Sequence, residues 1–333
     1  MKRLEKKINK VKERRGLAKF YHLLFSRRSK NMTLEESEAW VTAQGPASPD
    51  LVKYVKENEA EYDVLVFITY LYYPTAFGIT ANPSKTILIP TAHDEWPIRL
   101  PVYKQVFLLP ACIMYNTAAE RKFANGLFHN EDVSSYIAGL AVEIPGDLPS
   151  VNVREKFNID SEYILYVGRI NWSKITRQDF DWFIKYCEES GKDIKLVLIG
   201  KAQIKIPSNN HILHLGYVDD VSKFNLLRHS LFLYQPSRLE SLSLVLLEAF
   251  MMAKPVLVNS HCEVMKDHID NSNGGFYYQD YVSFKIAMDQ LVNNKALNIQ
   301  MGVAGKLYTE KNYDWSSIVE KFRSVIQKIV SPL

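Results

Sequence analysis

The stretch PSRLESLSLVLLEAFMMAKPV carries two glutamates, Glu240 and Glu248, separated by seven residues, and the second has apolar neighbours on every side. A helix that is hydrophobic all round is normally buried, and a buried carboxylate is costly unless something compensates it. Three partners would serve for Glu248: a nearby Lys or Arg, water at a single exposed helix position, or the vicinal hydroxyls of a bound ribose donating to a group that only accepts. Ser241 and Ser243 are N-cap candidates for that helix, and free backbone N–H groups at such an end attract anions. Glu240, just ahead of it, reads either as a carboxylate favoured by the helix dipole, at about 0.3–1 kcal/mol, or as an acceptor for sugar hydroxyls. A second pair, Arg169 and Lys174 in GRINWSK, follows the apolar run YILYVG. An Arg fork and a Lys point charge at a strand end suit a polyphosphate, although surface loops carry such cations routinely.

These side chains need a scaffold that brings loops together. Short continuous apolar runs over 63–69, 85–90 and 111–117 have the pattern of strands buried on both faces. A second series covers 163–168, 195–200, 211–216, 231–236 and 254–259. Helical stretches lie between, among them pieces over 34–62 with Ser48 as an N-cap candidate, AAERKFANGL, and DFDWFIKYCEES, and only helices are expected from Tyr281 onward. Alternation of this kind predicts an α/β fold with parallel sheets, and the Pro, Gly, Asp and Ser of IPGDLPS at 144–150 mark a boundary between two doubly wound domains. The expected organisation is an N-terminal domain over 1–145, a second domain over 146–310, and a C-terminal helix over 311–333 packing back towards the first. In open α/β sheets ligands bind beyond the carboxyl ends of the strands, where Arg169, Lys174 and Glu240 are expected.

Composition narrows the class. Hydrophobic residues make up 47% and charged residues 23% of the 333, the balance of a soluble globular protein. No apolar run approaches the roughly 20 residues needed to span a bilayer. The N-terminus MKRLEKKINK has no secretory signal pattern, so a cytoplasmic protein is expected. Cys112, Cys187 and Cys262 have no metal-ligand or CxxC spacing and read as reduced, buried packing residues. Residues 1–30 hold twelve Lys or Arg against two Glu, a local +10 within a total of +4, which leaves −6 for the rest. Leu4, Ile8 and Val11 share a helical face there, so this basic amphipathic start suits an anionic membrane surface or a solvated helix covering a core. With no recognition motif beside it, nucleic acid is not expected as a partner.

On these motifs the sequence resembles family 4 glycosyltransferases, retaining enzymes of the two-domain fold called GT-B. The two glutamates stand in the family's order of Pro, Ser, x, x, Glu, a Glu-Ala helix and Lys-Pro-Val. YVGRINWSK, LVLIGKA, LGYVDD and HCEVMKDHIDNSNGGFYY resemble further family segments, the last a closing loop in which Glu263 precedes a Gly-containing turn. The resemblance covers residues from about 60 to 333. Before that, the strand and glycine-rich loop that open family members are missing, so a reduced N-terminal domain is expected.

The resemblance implies transfer of a sugar from a nucleotide diphosphate sugar to a glycan or lipid-linked acceptor, as in polysaccharide biosynthesis. Arg169 and Lys174, beside Gly168, would hold the diphosphate. Glu240, with the backbone of Ser241, Leu242 and Ser243, would hold the sugar and phosphate, Glu248 would hold the ribose, and Val218 would lie against the base. His93 in IPTAHDEWP would approach the reacting carbon. No cofactor or metal is implied, on the reading that the chain offers no Asp-x-Asp carboxylate pair and that the two cations offset the leaving charge. The competing expectation is a non-autonomous donor-binding subunit, or inactive homologue, completed by a protein partner. No GxGxxG, phosphate-loop, GxSxG or HExxH motif supports another enzyme class.

Overall fold

Period-2 burial accounts for the first sheet. The computed structural model describes residues 31–331, and the basic start at 1–30 lies outside them. Strands β1 (Leu65–Ile68), β2 (Thr86–Ile89), β3 (Cys112–Tyr115) and β4 (Ser135–Ile137) pair in parallel in the order β1-β2-β3-β4. Leu88, Ile113 and Tyr115 point into one core with Tyr70, Tyr103 and Phe107, while Ile87, Ile89, Cys112 and Met114 point into the other with Val325. Helices α1 (Leu34–Gln44), α2 (Pro49–Asn58), α3 (Tyr73–Gly78), α4 (Tyr103–Leu108) and α5 (Ala118–Phe128) accompany this sheet. Ser48 precedes α2, but its side chain makes no cap bond; Pro49 sets the first turn instead.

The second sheet has six parallel strands in the order β10-β9-β8-β5-β6-β7. They are β5 (Glu162–Val167), β6 (Ile194–Ile199), β7 (Ile212–Gly216), β8 (Leu233–Gln235), β9 (Val256–Asn259) and β10 (Gly275–Tyr278). The helices here are α6 (Val153–Lys156), α7 (Arg177–Ser190), α8 (Asp220–His229), α9 (Leu244–Met251), α10 (Glu263–Ser272), α11 (Tyr281–Asn293) and α12 (Lys295–Asn312), and α13 (Trp315–Val330) ends the chain. Phe180, Phe183, Tyr186, Tyr234, Tyr278 and Phe284 are buried in one core of this unit.

By its contacts the chain divides into residues 1–139 with 319–333 and residues 140–318, so α13 begins in the second unit and ends in the first. One expectation needs correction. The segment read as a closing loop is a ten-residue helix, α10, headed by Glu263 and followed by the strand β10. Its apolar residues Val264, Met265 and Ile269 are buried at helical spacing, with Asn273 as a left-handed cap. All three cysteines are unpaired and buried.

Candidate functional site

Chain direction in the second sheet locates a crevice. From β5 the chain runs outward through β6 and β7, then crosses to β8, which pairs with the other side of β5. The order therefore reverses between β5 and β8, and at such a switch point the loops beyond the carboxyl ends splay apart and admit a ligand. The loops leaving those two strands are Gly168–Lys174 and Pro236–Ser243, which hold most of the residues singled out in the sequence.

The β5 loop is tightly braced. Gly168 has φ +147 and Gly200, at the end of β6, has φ +128, where L side chains are disfavoured. A Cβ on Gly200 would collide with the Gly168 carbonyl, so these loops approach as closely as two backbones can. Gly168 N–H donates to Ile199 O at 3.0 Å, and Tyr166 OH donates to Arg169 O at 2.7 Å. Arg169 itself is exposed and has no ion pair among the described residues.

Across the crevice Lys174 meets Glu240. Lys174 Nζ lies 2.6 Å from Glu240 Oε1 and donates to Leu239 O at 3.1 Å, with side-chain exposures of 21% and 15% for the pair. The cation expected on a diphosphate and the carboxylate expected on a sugar are thus brought together, each neutralising the other. Ser237 Oγ donates to the same Leu239 carbonyl at 3.2 Å.

Helix α9 starts differently from expectation. Ser243 is its N-cap, but in the left-handed conformation, φ +67 and ψ 72, and its hydroxyl makes no cap bond. That Oγ is buried without any hydrogen-bond partner, as is Gln235 Oε1 at the end of β8. The helix therefore presents its first amides and an unmatched hydroxyl beside Glu240, an arrangement suited to an anion.

Of the three partners open to Glu248, the fold supplies the cation. Lys223 Nζ, from α8, lies 2.9 Å from Glu248 Oε1 and 3.2 Å from Asp220 Oδ1, so a neighbouring cation compensates the carboxylate and no ligand is required for that purpose. The helix is not buried all round either. Leu246, Leu247, Ala249 and Phe250 are buried, whereas Leu244 is exposed and Val245, Glu248 and Met251 are half-buried on the opposite face. Val218 is half-buried between β7 and α8, next to Tyr217, which is 90% exposed.

The chain does contain an Asp-x-Asp triplet, Asp179-Phe180-Asp181, contrary to expectation, but it lies near the start of α7, with only Asp179 in the first turn. Asp179 is buried, accepting from Thr176 N and Oγ1 at 2.7 Å each, while Asp181 pairs with Arg177 at 2.8 Å. Positions two apart on a helix face different ways, so the two carboxylates do not form a clamp. Burial raises the Asp179 carboxyl above its ordinary range against the Thr176 hydrogen bonds.

His93 belongs to the first unit, on the loop after β2. Its Nδ1 is buried without a hydrogen bond, 3.7 Å from Glu95 Oε1, and that oxygen accepts from Tyr70 OH at 2.6 Å. The loop is pinned by a residue that the sequence reading missed. Glu120, on α5 and 1% exposed, accepts from Ala92 N–H with one oxygen and from Asn116 N–H with the other, tying the loops after β2 and β3. Desolvation raises its carboxyl to about 8 despite these bonds. Thr91, before Ala92, is held at φ +50. Lys223 and His268 were missed as well. Only His268, buried in α10 with its Nε2 2.9 Å from Leu242 O, adjoins the Glu240 loop.

Residues 151–308 match the family model described as Glycosyl transferases group 1. The uncharacterized glycosyltransferase MJ1178 of Methanocaldococcus jannaschii is 26% identical over 179 residues, 51% of this chain and 49% of that protein, so the matched region spans about half the length of this curated relative. Among solved structures, a sucrose-phosphate synthase from Thermosynechococcus elongatus is similar at TM-score 0.69 and 14% identity, over 84% of this chain and 77% of that one. HepE (Alr3699) of Anabaena, solved in complex with UDP, is similar at TM-score 0.69 and 13% identity, over 83% and 82%. Such identities carry the fold alone. Residues 151–308 are thus similar to the Glycosyl transferases group 1 family, and the chain has the α/β GT-B fold class.

Proposed function

We propose that the protein is a retaining, metal-independent hexosyltransferase of family 4, which moves a sugar from a nucleotide diphosphate sugar to a glycan or lipid-linked acceptor. The observation that carries this reading is the β5–β8 crevice, where Lys174, Glu240, the exposed Arg169 and the head of α9 converge. A donor diphosphate supplies the anion that α9 lacks, and its negative charge competes with Glu240 for Lys174. Arg169 and Lys174 then offset the charge that gathers on the leaving diphosphate as the bond to the sugar breaks. Glu240, released from the pair, accepts from sugar hydroxyls, and the amides of Ser241, Leu242 and Ser243 fix the phosphate and sugar. Glu248 keeps its ribose role only by family resemblance and would share its carboxylate with Lys223. The segment around Val218, with Tyr217, offers the base an apolar face. His93 is assigned by the same resemblance to positioning the sugar.

The test is a thermal-shift screen of nucleotide diphosphate sugars followed by an assay of nucleoside diphosphate release with and without acceptor. A ligand at a hundred times its dissociation constant adds about 2.7 kcal/mol of stability. A shift with one class of donor, abolished by Arg169→Ala with Lys174→Ala, is expected. No shift with any donor refutes the reading. No helix among the described residues is long and apolar enough to cross a membrane. The composition of residues 1–30 supports peripheral contact with an anionic membrane, at the cytoplasmic side. Liposome co-sedimentation that is indifferent to anionic lipid, or unchanged on deleting 1–30, refutes that contact.

A further inference from the structure

A serine in the left-handed region is strained, because its Cβ crowds the following backbone, and such a residue persists only where its surroundings over-determine it. At Ser243 the side chain does not do this, since its hydroxyl is buried and unbonded. The Ser243 carbonyl accepts from Leu246 N–H at 3.0 Å and Leu247 N–H at 3.3 Å, and a second restraint comes from the preceding peptide. The Leu242 carbonyl lies 2.9 Å from His268 Nε2. A carbonyl only accepts, so Nε2 carries the proton and Nδ1 is left as an acceptor, 2.9 Å from the Tyr308 hydroxyl, which must donate. Tyr313 OH stands 3.4 Å behind Tyr308 OH. Burial lowers the imidazole to about 4, so the ring is neutral at working pH and a single tautomer fits both bonds.

The peptide joining Leu242 to Ser243 is planar and trans, so its N–H points away from its C=O. Holding the carbonyl therefore aims the Ser243 amide. We propose that His268, backed by Tyr308, is a positioning residue of the donor site. It locks the Leu242–Ser243 peptide so that the left-handed Ser243 and its amide stand ready for a diphosphate before the ligand arrives. This deepens the proposed function and rests on it.

The experiment compares the intact protein with His268→Leu, His268→Gln and Tyr308→Phe. Two readouts are taken: the dissociation constant for inorganic pyrophosphate, a probe that needs no choice of base or sugar, and hydrogen exchange across residues 239–244 without ligand. Gln places an amide N–H where Nε2–H stood, so it preserves the bond while discarding the ring. His268→Leu is expected to weaken pyrophosphate at least tenfold and to speed exchange in 239–244. His268→Gln should stay within about threefold of the parent, and Tyr308→Phe should fall between them. Binding by folded His268→Leu within twofold of the parent overturns the inference, as does His268→Gln impaired as much as His268→Leu at equal thermal midpoint. Should His268→Leu not fold, a tenfold loss in His268→Gln overturns it, and near-parental binding there together with a loss in Tyr308→Phe upholds it. If the parent protein binds no pyrophosphate, the donor-site reading fails instead. Exchange in 239–244 then still decides whether His268 holds the peptide.

Discussion

Glu120→Gln should flatten a pH dependence that the wild-type fold carries in its first unit. Glu120 is 1% exposed and no ion pair reaches it among the described residues; its carboxylate accepts from the backbone amides of Ala92 and Asn116, with a further backbone hydrogen bond from Thr117. Desolvation lifts the folded carboxyl from 4.5 to about 8. Below pH 4.5 both folded and unfolded states hold the proton. Between there and about pH 8 the folded state keeps a proton that the unfolded state has released, so stability is lost as pH rises through that window. One pKa unit corresponds to about 1.4 kcal/mol, which makes the loss between pH 5 and pH 8 of order 3 kcal/mol. His268 works in the opposite sense, because its lowered folded value removes stability as pH falls below 6.5, so the wild-type curve alone does not isolate Glu120. The difference between wild type and Glu120→Gln does. Urea unfolding at pH 5, 6, 7 and 8, with hydrogen exchange read in peptides containing Ala92 and Asn116, should show that difference shrinking by a few kcal/mol towards pH 8. A difference constant to within about 0.5 kcal/mol would mean that the amides hold Glu120 ionised throughout, against the desolvation argument. Because Ala92 immediately precedes His93, the variant also tests whether that loop must be held for activity.

Lys174→Ala should lower turnover by roughly a hundredfold or more at saturating donor, on the scale of losing one transition-state donor; full activity there would contradict the role given to the Lys174–Glu240 crevice. Lys223→Met removes the cation from Glu248 while keeping an apolar stem. The pair is only 17% and 19% exposed, so the cost should lie near 1–3 kcal/mol in urea unfolding, between the surface and buried limits. Glu248→Gln should weaken nucleotide-sugar binding about tenfold or more if the carboxylate accepts ribose hydroxyls, since hydrogen bonds to charged groups are worth about 1.5–3 kcal/mol each. An unchanged dissociation constant would leave Glu248 as the partner of Lys223 and nothing more. Gly200→Ala puts a Cβ into the Gly168 carbonyl at φ +128, and should destabilise the second unit by about 2 kcal/mol or more and impair donor binding, read by thermal unfolding and the pyrophosphate titration.

Strand runs and the α/β alternation were legible because burial on both faces imposes continuous apolar segments, and all eight expected strands appear, Leu65–Ile68 to Val256–Asn259. Two strands escaped notice. Ser135–Ile137 is three residues long and half-buried, and Gly275–Tyr278 begins with a glycine pressed against Val256, so neither has a long apolar run. The spacing of Arg169, Lys174 and Glu240 could be read as chemistry because each follows a strand end, and loops at those ends converge in any doubly wound sheet. What the linear pattern could not carry was partnership. Lys223 is 25 residues from Glu248, His268 is 26 from Leu242, and Glu120 is 28 from Ala92. Local propensity and periodicity register neighbours within a helical turn or across a strand, whereas the group that satisfies a buried charge or pins a strained peptide is chosen by how the elements pack. Tertiary structure alone therefore settled which acid already has a cation, which has only amides, and which histidine aims the backbone at the head of α9.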